Sequence, residues 1–106
     1  MAYTDEILPM TWHVRLDKFE DARGSFIKTY TPHLFRQYGG AFEMREEFYT
    51  VSKKDVIRGM HFQMPPDDHI KVVICTFGSA KDVLLDLRPG KGYGQSVDIH
   101  LSAEEP

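Results

Sequence analysis

A chain of 106 residues with 42% hydrophobic and 27% charged side chains has the composition of one globular domain, residues 1–106, which excludes a disordered polymer. The formal net charge of −3, without a Lys/Arg cluster, gives no electrostatic footprint for nucleic acid. The single cysteine, Cys75, excludes an internal disulfide and fits a reducing cytoplasm.

The opening "MAYTDEILPM" lacks the basic start and apolar core of a secretion signal. The longest apolar candidate, "VVIC", is far too short to span a bilayer, so a cytoplasmic domain with no membrane partner is expected.

In chain order, Ile7 to Leu16 reads as one extended segment, with Trp12, Val14 and Leu16 alternating with polar neighbours. "EDARGSF" predicts a turn around Gly24, followed by a second extended piece through Ile27 and Tyr30. One short helix is expected, opened by Thr31-Pro32 and closed by Gly39-Gly40. Beyond it the predicted strands are Glu47 to Ser52, Val56 to Gln63, His69 to Phe77, Lys81 to Leu87 and Gln95 to Leu101. Short strands spaced by Gly/Pro turns predict an all-β sandwich or barrel.

The densest chemistry lies in "RGMHFQMPPDDHIK", Arg58 to Lys71. If its two arms pair antiparallel about Pro66, residues whose numbers sum to 132 face each other. His61 then lies opposite Lys71 and Gln63 opposite His69, all on one face. Met60, Phe62, Ile70, Val72 and Ile74 form the other, apolar face, and "KDVLLDLR" repeats the alternation with Asp82 and Asp86 against Val83, Leu85 and Leu87. Two readings of the polar face stand. It is the wet side of an antiparallel sheet, or it lines a barrel interior. In the second, imidazole takes a proton near neutral pH while ammonium holds a developing oxyanion. Arg58 is out of parity with His61 and reaches the same cavity only through an irregularity, for which Gly59 suits a bulge.

"DARGSF", "IRGMHFQMPPDDHIKVV" and "DVLLDLR", in this order and spacing, with "GQSVDIHLSAEE" at the end, resemble the dTDP-4-dehydrorhamnose 3,5-epimerase family of cupins. The resemblance implies a jelly-roll barrel, a homodimer exchanging N-terminal strands, and no metal or organic cofactor. It implies a nucleotide-linked 4-keto-6-deoxy sugar whose C3 and C5 protons are removed through an enolate and returned from the opposite face. By matching position, His61 would be the general base, Lys71 the group on the enolate oxygen, and Asp82 a carboxylate supporting the histidine. Arg23 and Arg58 would contact diphosphate or sugar, Phe26 would stack on the base, and Gln63 belongs to the same binding set.

The chain departs from the family at Lys28, where Glu is usual, and at Glu46 and Phe48, where Gln and Asn are usual. A Glu-to-Lys change inverts the charge and replaces acceptors with donors, leaving guanosine- or cytidine-linked sugars open. The family's further strands, with a general-acid Tyr and a His-orienting Asp, have no counterpart here; Tyr49 and Tyr93 are not at the matching position. The chain is therefore expected to be a piece of a longer protein or a shortened relative that closes by association. His69, where the family often has Gln, reads as a pocket-rim residue, and Arg23 after Asp21 could form a turn ion pair instead of touching ligand. A metal cupin is the weaker alternative, because His61, His69 and Asp68 with Gln63 make a poor first shell. A non-catalytic sugar-nucleotide-binding module and a 3,4-ketoisomerase-like cupin remain alternatives.

Overall fold

The computed structural model describes residues 3–37 and 43–106. Within them the chain is all-β in class, with three separate two-stranded antiparallel sheets and one short helix.

The first segment is two strands rather than one. β1 (Tyr3–Leu8) and β2 (Thr11–Arg15) pair with Glu6 opposite Trp12 and Leu8 opposite Thr11, with an irregularity between Glu6 and Leu8. Pro9 and Met10 make the bend, Met10 adopting φ 60. Pro9, lacking an N–H, interrupts the ladder and turns the chain back.

The predicted turn at Gly24 is present. β3 (Lys18–Asp21) and β4 (Gly24–Ile27) flank Ala22-Arg23, with Phe19 opposite Phe26 and Asp21 opposite Gly24. Asp21 Oδ1 accepts from the Arg23 backbone N–H at 2.8 Å, an Asx turn. Gly24 has φ +131, a backbone that L side chains rarely adopt.

Helix α1 (Pro32–Arg36) starts as the sequence indicates. Thr31 Oγ1 caps the Leu34 N–H at 3.0 Å, Pro32 takes a first-turn position, and the Tyr30 and Phe35 rings lie 5.0 Å apart as a staple across the cap. The predicted stop at Gly39-Gly40 lies outside the described residues.

β5 (Ser79–Leu85) and β6 (Ser96–Ser102) pair from Ser79↔Ser102 to Leu85↔Ser96. The loop between them is closed by hydrogen bonds from Asp86 N to Gln95 O (2.9 Å) and from Gly94 N to Asp86 O (2.8 Å). β1 packs on β6, and the Leu16 N–H donates to Pro106 O at 3.0 Å, tying the N-terminal hairpin to the final residues. Leu8, at the end of β1, is the buried apolar residue among those described.

The strands expected at Glu47–Ser52, Val56–Gln63 and His69–Phe77 are not formed: residues 43–78 carry no ladder. A strand persists only where a neighbour takes its N–H and C=O groups, and no described segment does so here. The apolar face expected to be covered is open, with Phe62 at 65% and Ile70 at 68% exposure. On β5 the expected sides are likewise reversed. Val83 and Leu85 are exposed, whereas Asp86 is buried. No second sheet covers the first two among the described residues, and Arg88 satisfies the third.

Candidate active site

The bend in Arg58–Lys71 is real, although it is not a laddered hairpin. Asp67 N–H donates to Met64 O at 2.9 Å across Pro65-Pro66, so the turn centres between the two prolines rather than on Pro66. His61–Lys71 and Gln63–His69 are accordingly not cross-strand pairs. The fold-back still gathers side chains. His61, Phe62, Gln63, Asp68, His69 and Lys71 line one shallow concavity of about 220 Å³. Phe62, expected on the opposite face, lines it as well, because strict alternation holds only where a ladder enforces the pleat.

Within this concavity a base, a cation, an amide and a carboxylate meet, the groups needed to take a proton beside a ketone and hold the charge left on its oxygen. His69 is exposed and lines the concavity, as a rim residue would. Its Nδ1 lies 3.1 Å from Asp67 O, within the turn that sets the bend. Among the described residues the His61 ring has no side-chain carboxylate bonded to it. Asp82, expected beside it, sits on β5 opposite Ile99 and is not part of the lining.

Arg58 does not join the concavity. Gly59 has φ +119, but with no ladder here there is no bulge to redirect the chain, and Arg58 Nε donates to Ser52 Oγ at 2.9 Å. Within six residues that hydroxyl offers a local acceptor, and the guanidinium takes it.

Arg23 and Phe26 do come together, in a second concavity of about 460 Å³ on the β3–β4 hairpin, lined also by Phe19, Glu20, Asp21, Gly24 and Ser25. Both aromatic rings are largely exposed. Arg23 Nη2 lies 2.6 Å from Asp21 Oδ2, the turn ion pair anticipated as the alternative to ligand contact. Hydrogen bonds from Arg23 side chain and backbone hold the Asp21 carboxyl below its usual range, and Asp21 raises the guanidinium in turn. Phe19 also lines this concavity, a residue the sequence motifs do not mark. The signal was available, since it is as far before the Ala22-Arg23 turn as Phe26 is after it.

No trio of His, Cys, Asp or Glu side chains among the described residues is grouped to hold a metal ion. No helix among them is long and apolar enough to cross a membrane.

Comparison with known proteins bears on the same residues. A model of the dTDP-4-dehydrorhamnose 3,5-epimerase family matches residues 6–106. The dTDP-4-dehydrorhamnose 3,5-epimerase of Mycobacterium tuberculosis (strain CDC 1551 / Oshkosh) is 36% identical over 84 residues, 78% of this chain and 42% of that protein. Its Salmonella typhimurium counterpart is 36% identical over 88 residues, 81% of this chain and 48% of that protein. A dTDP-4-dehydrorhamnose 3-epimerase of Streptomyces niveus is 32% identical over 80 residues, 74% of this chain and 39% of that protein. The chain thus spans about half the length of the curated relatives it matches. A match running from residue 6 through both concavities to residue 106 establishes the kinship: this chain belongs to the dTDP-4-dehydrorhamnose 3,5-epimerase family.

Proposed function

We propose that this chain carries the proton-abstracting half of an epimerase site for a nucleotide-linked 4-keto-6-deoxy sugar. The observation that carries the reading is the shared concavity of His61, Gln63 and Lys71, in a chain that matches the epimerase family across residues 6–106. Neutral His61 takes the proton from the carbon next to the C4 ketone. The electron pair of that C–H bond becomes the enolate, and the Lys71 ammonium holds the oxygen. Reprotonation from the other face gives the inverted carbon, and Gln63 holds a sugar hydroxyl. Arg23 and Phe26 bind the diphosphate and the base on the β3–β4 hairpin, with Arg23 exchanging Asp21 for phosphate. Arg58 serves the same end once it leaves Ser52, and Asp82 is the reserve carboxylate for the histidine. The whole is one domain, working as a homodimer in the cytoplasm on this one class of small-molecule substrate.

A second reading, a sugar-nucleotide-binding module without turnover, is favoured by one observation: Asp82 lies outside the lining that holds His61. Solvent deuterium uptake into dTDP-4-keto-6-deoxyglucose, read by mass spectrometry and NMR, separates the two. Uptake at C3 or C5 that His61→Asn abolishes is expected. No uptake into this or guanosine- and cytidine-linked 4-keto sugars, by folded protein that binds them, overturns the catalytic reading in favour of the module.

A further inference from the structure

His69 Nδ1 lies 3.1 Å from Asp67 O. A carbonyl oxygen only accepts, so the ring proton sits on Nδ1, and the neutral imidazole keeps Nε2 as a bare acceptor. The bond ties the ring to the backbone of the turn, which orients it before any ligand arrives. Asp68, its neighbour in the chain, adds a carboxylate, a second acceptor. In a laddered strand, consecutive side chains would point to opposite faces. Residues 67–71 carry no ladder, and both side chains line the concavity of about 220 Å³ that holds His61, Gln63 and Lys71. Two acceptors, adjacent in sequence, therefore open on one space.

Charge decides what suits them. Asp68 and Lys71 bring opposite charges to the same small space, so neither an anion nor a cation is favoured outright. The diphosphate therefore does not belong here, and a neutral donor does. Hydroxyl groups are the neutral donors that a sugar supplies. A 4-keto-6-deoxy hexose linked through C1 keeps free hydroxyls only at C2 and C3, neighbours on the ring.

We infer that Asp68 and His69 are the specificity-determining pair for the sugar, the carboxylate and Nε2 accepting the protons of the C2 and C3 hydroxyls. This role rests on the proposed sugar-nucleotide substrate and adds which of its hydroxyls are read. The Gln63 amide can donate to the oxygen of either one. Held at C2 and C3 from this arm of the bend, the sugar brings its C4 ketone to Lys71, two residues beyond His69. Both side chains are exposed, so each bond is worth about tenfold in affinity, well short of the discrimination reached in buried sites.

Binding, not turnover, is measured. The full chain is titrated calorimetrically with dTDP, UDP, GDP and CDP, then with the glucose and 2-deoxyglucose conjugates of whichever binds best. Glucose carries the same C2 and C3 hydroxyls. Wild type is expected to favour the glucose conjugate about tenfold. Asp68→Ala combined with His69→Phe is expected to erase that preference while affinity for the bare nucleotide stays the same. Asp68→Asn combined with His69→Gln keeps an acceptor at each position and is expected to retain it. Trp12 fluorescence confirms that each variant is folded. Equal affinity of wild type for the two conjugates, or a preference that survives the Ala and Phe changes, overturns the inference and leaves the sugar-nucleotide reading standing. Failure to bind any of these nucleotides overturns that reading, and the inference with it.

Discussion

Arg88 closes a ring around Asp86. Its Nε lies 3.0 Å from Oδ1, its backbone N–H donates to the same oxygen at 3.0 Å, and its Nη2 also donates to Pro9 O on the N-terminal hairpin. Asp86 is buried, so the pair joins the β5–β6 loop to the β1–β2 turn. The side-chain bond from Arg88, then its backbone bond, hold the Asp86 carboxyl below its usual range. A carboxyl depressed in the folded state stabilises it above the unfolded value of about 3.9 and loses that contribution as pH falls through the folded value. The wild-type unfolding midpoint is therefore expected to drop below about pH 4, and Asp86→Asn to lie lower at pH 7 with a shallower acid slope. Thermal unfolding by Trp12 fluorescence from pH 2 to 7 checks it. Parallel acid slopes in both proteins exclude Asp86 as the cause.

Gly92 stands against this same pair. A Cβ there would overlap the Asp86 carboxylate and come within 3.0 Å of two Pro9 ring carbons. Gly92→Ala is expected to cost about 1–3 kcal/mol, the range for overpacking a filled site. The carboxylate must turn from Arg88 or the hairpin must back away. Urea unfolding measures it, and a variant within error of wild type shows that the site has slack.

The parts legible in the sequence are those whose cause is local. The Gly24 turn and the Thr31 cap with Pro32 rest on residues a few positions apart, and each is found; strands expected at Lys81–Leu87 and Gln95–Leu101 are found as β5 and β6 with slightly different bounds. The bend at Pro65-Pro66 is local too, and it suffices to bring His61 and Lys71 to one concavity. The strands predicted across Glu47–Phe77 are not formed even where the two arms about Pro66 were expected to pair with each other: alternation marks which residues could pair, and the bend alone does not make the ladder. In the sequence Asp86 is one more polar residue of an alternating strand. Its burial depends on Arg88 and on Pro9 from a distant hairpin, and alternation does not encode that. Asp82 and Arg58 failed to reach His61 for two different reasons: one is held in a separate ladder, and the other has a nearer acceptor in Ser52.

On the β3–β4 hairpin, Arg23 and Asp21 are exposed, and ion pairs in water contribute little to stability. Arg23→Ala is therefore expected to leave the unfolding midpoint unchanged. If the guanidinium leaves Asp21 for a diphosphate, the same change weakens dTDP binding about tenfold or more, since charge-assisted bonds to phosphate are the stronger kind. Calorimetric titration with dTDP against thymidine tells whether the loss belongs to the phosphates. Equal loss for both ligands would place the role of Arg23 elsewhere.

Lys28 follows β4 directly, two residues after Phe26, where the family usually carries Glu. A carboxylate accepts hydrogen bonds from a base's N–H groups, whereas an ammonium can only donate. Lys28→Glu is therefore expected to shift preference toward the thymine base, whose N3–H is a donor, and Lys28 itself to favour bases presenting acceptors. Competition among dTDP, UDP, GDP and CDP for wild type and variant reads this directly. The expected outcome is a rise in relative affinity for dTDP and UDP, both of which present an N3–H, with CDP falling because cytosine offers a bare N3 acceptor. An unchanged order would mean that position 28 does not touch the base.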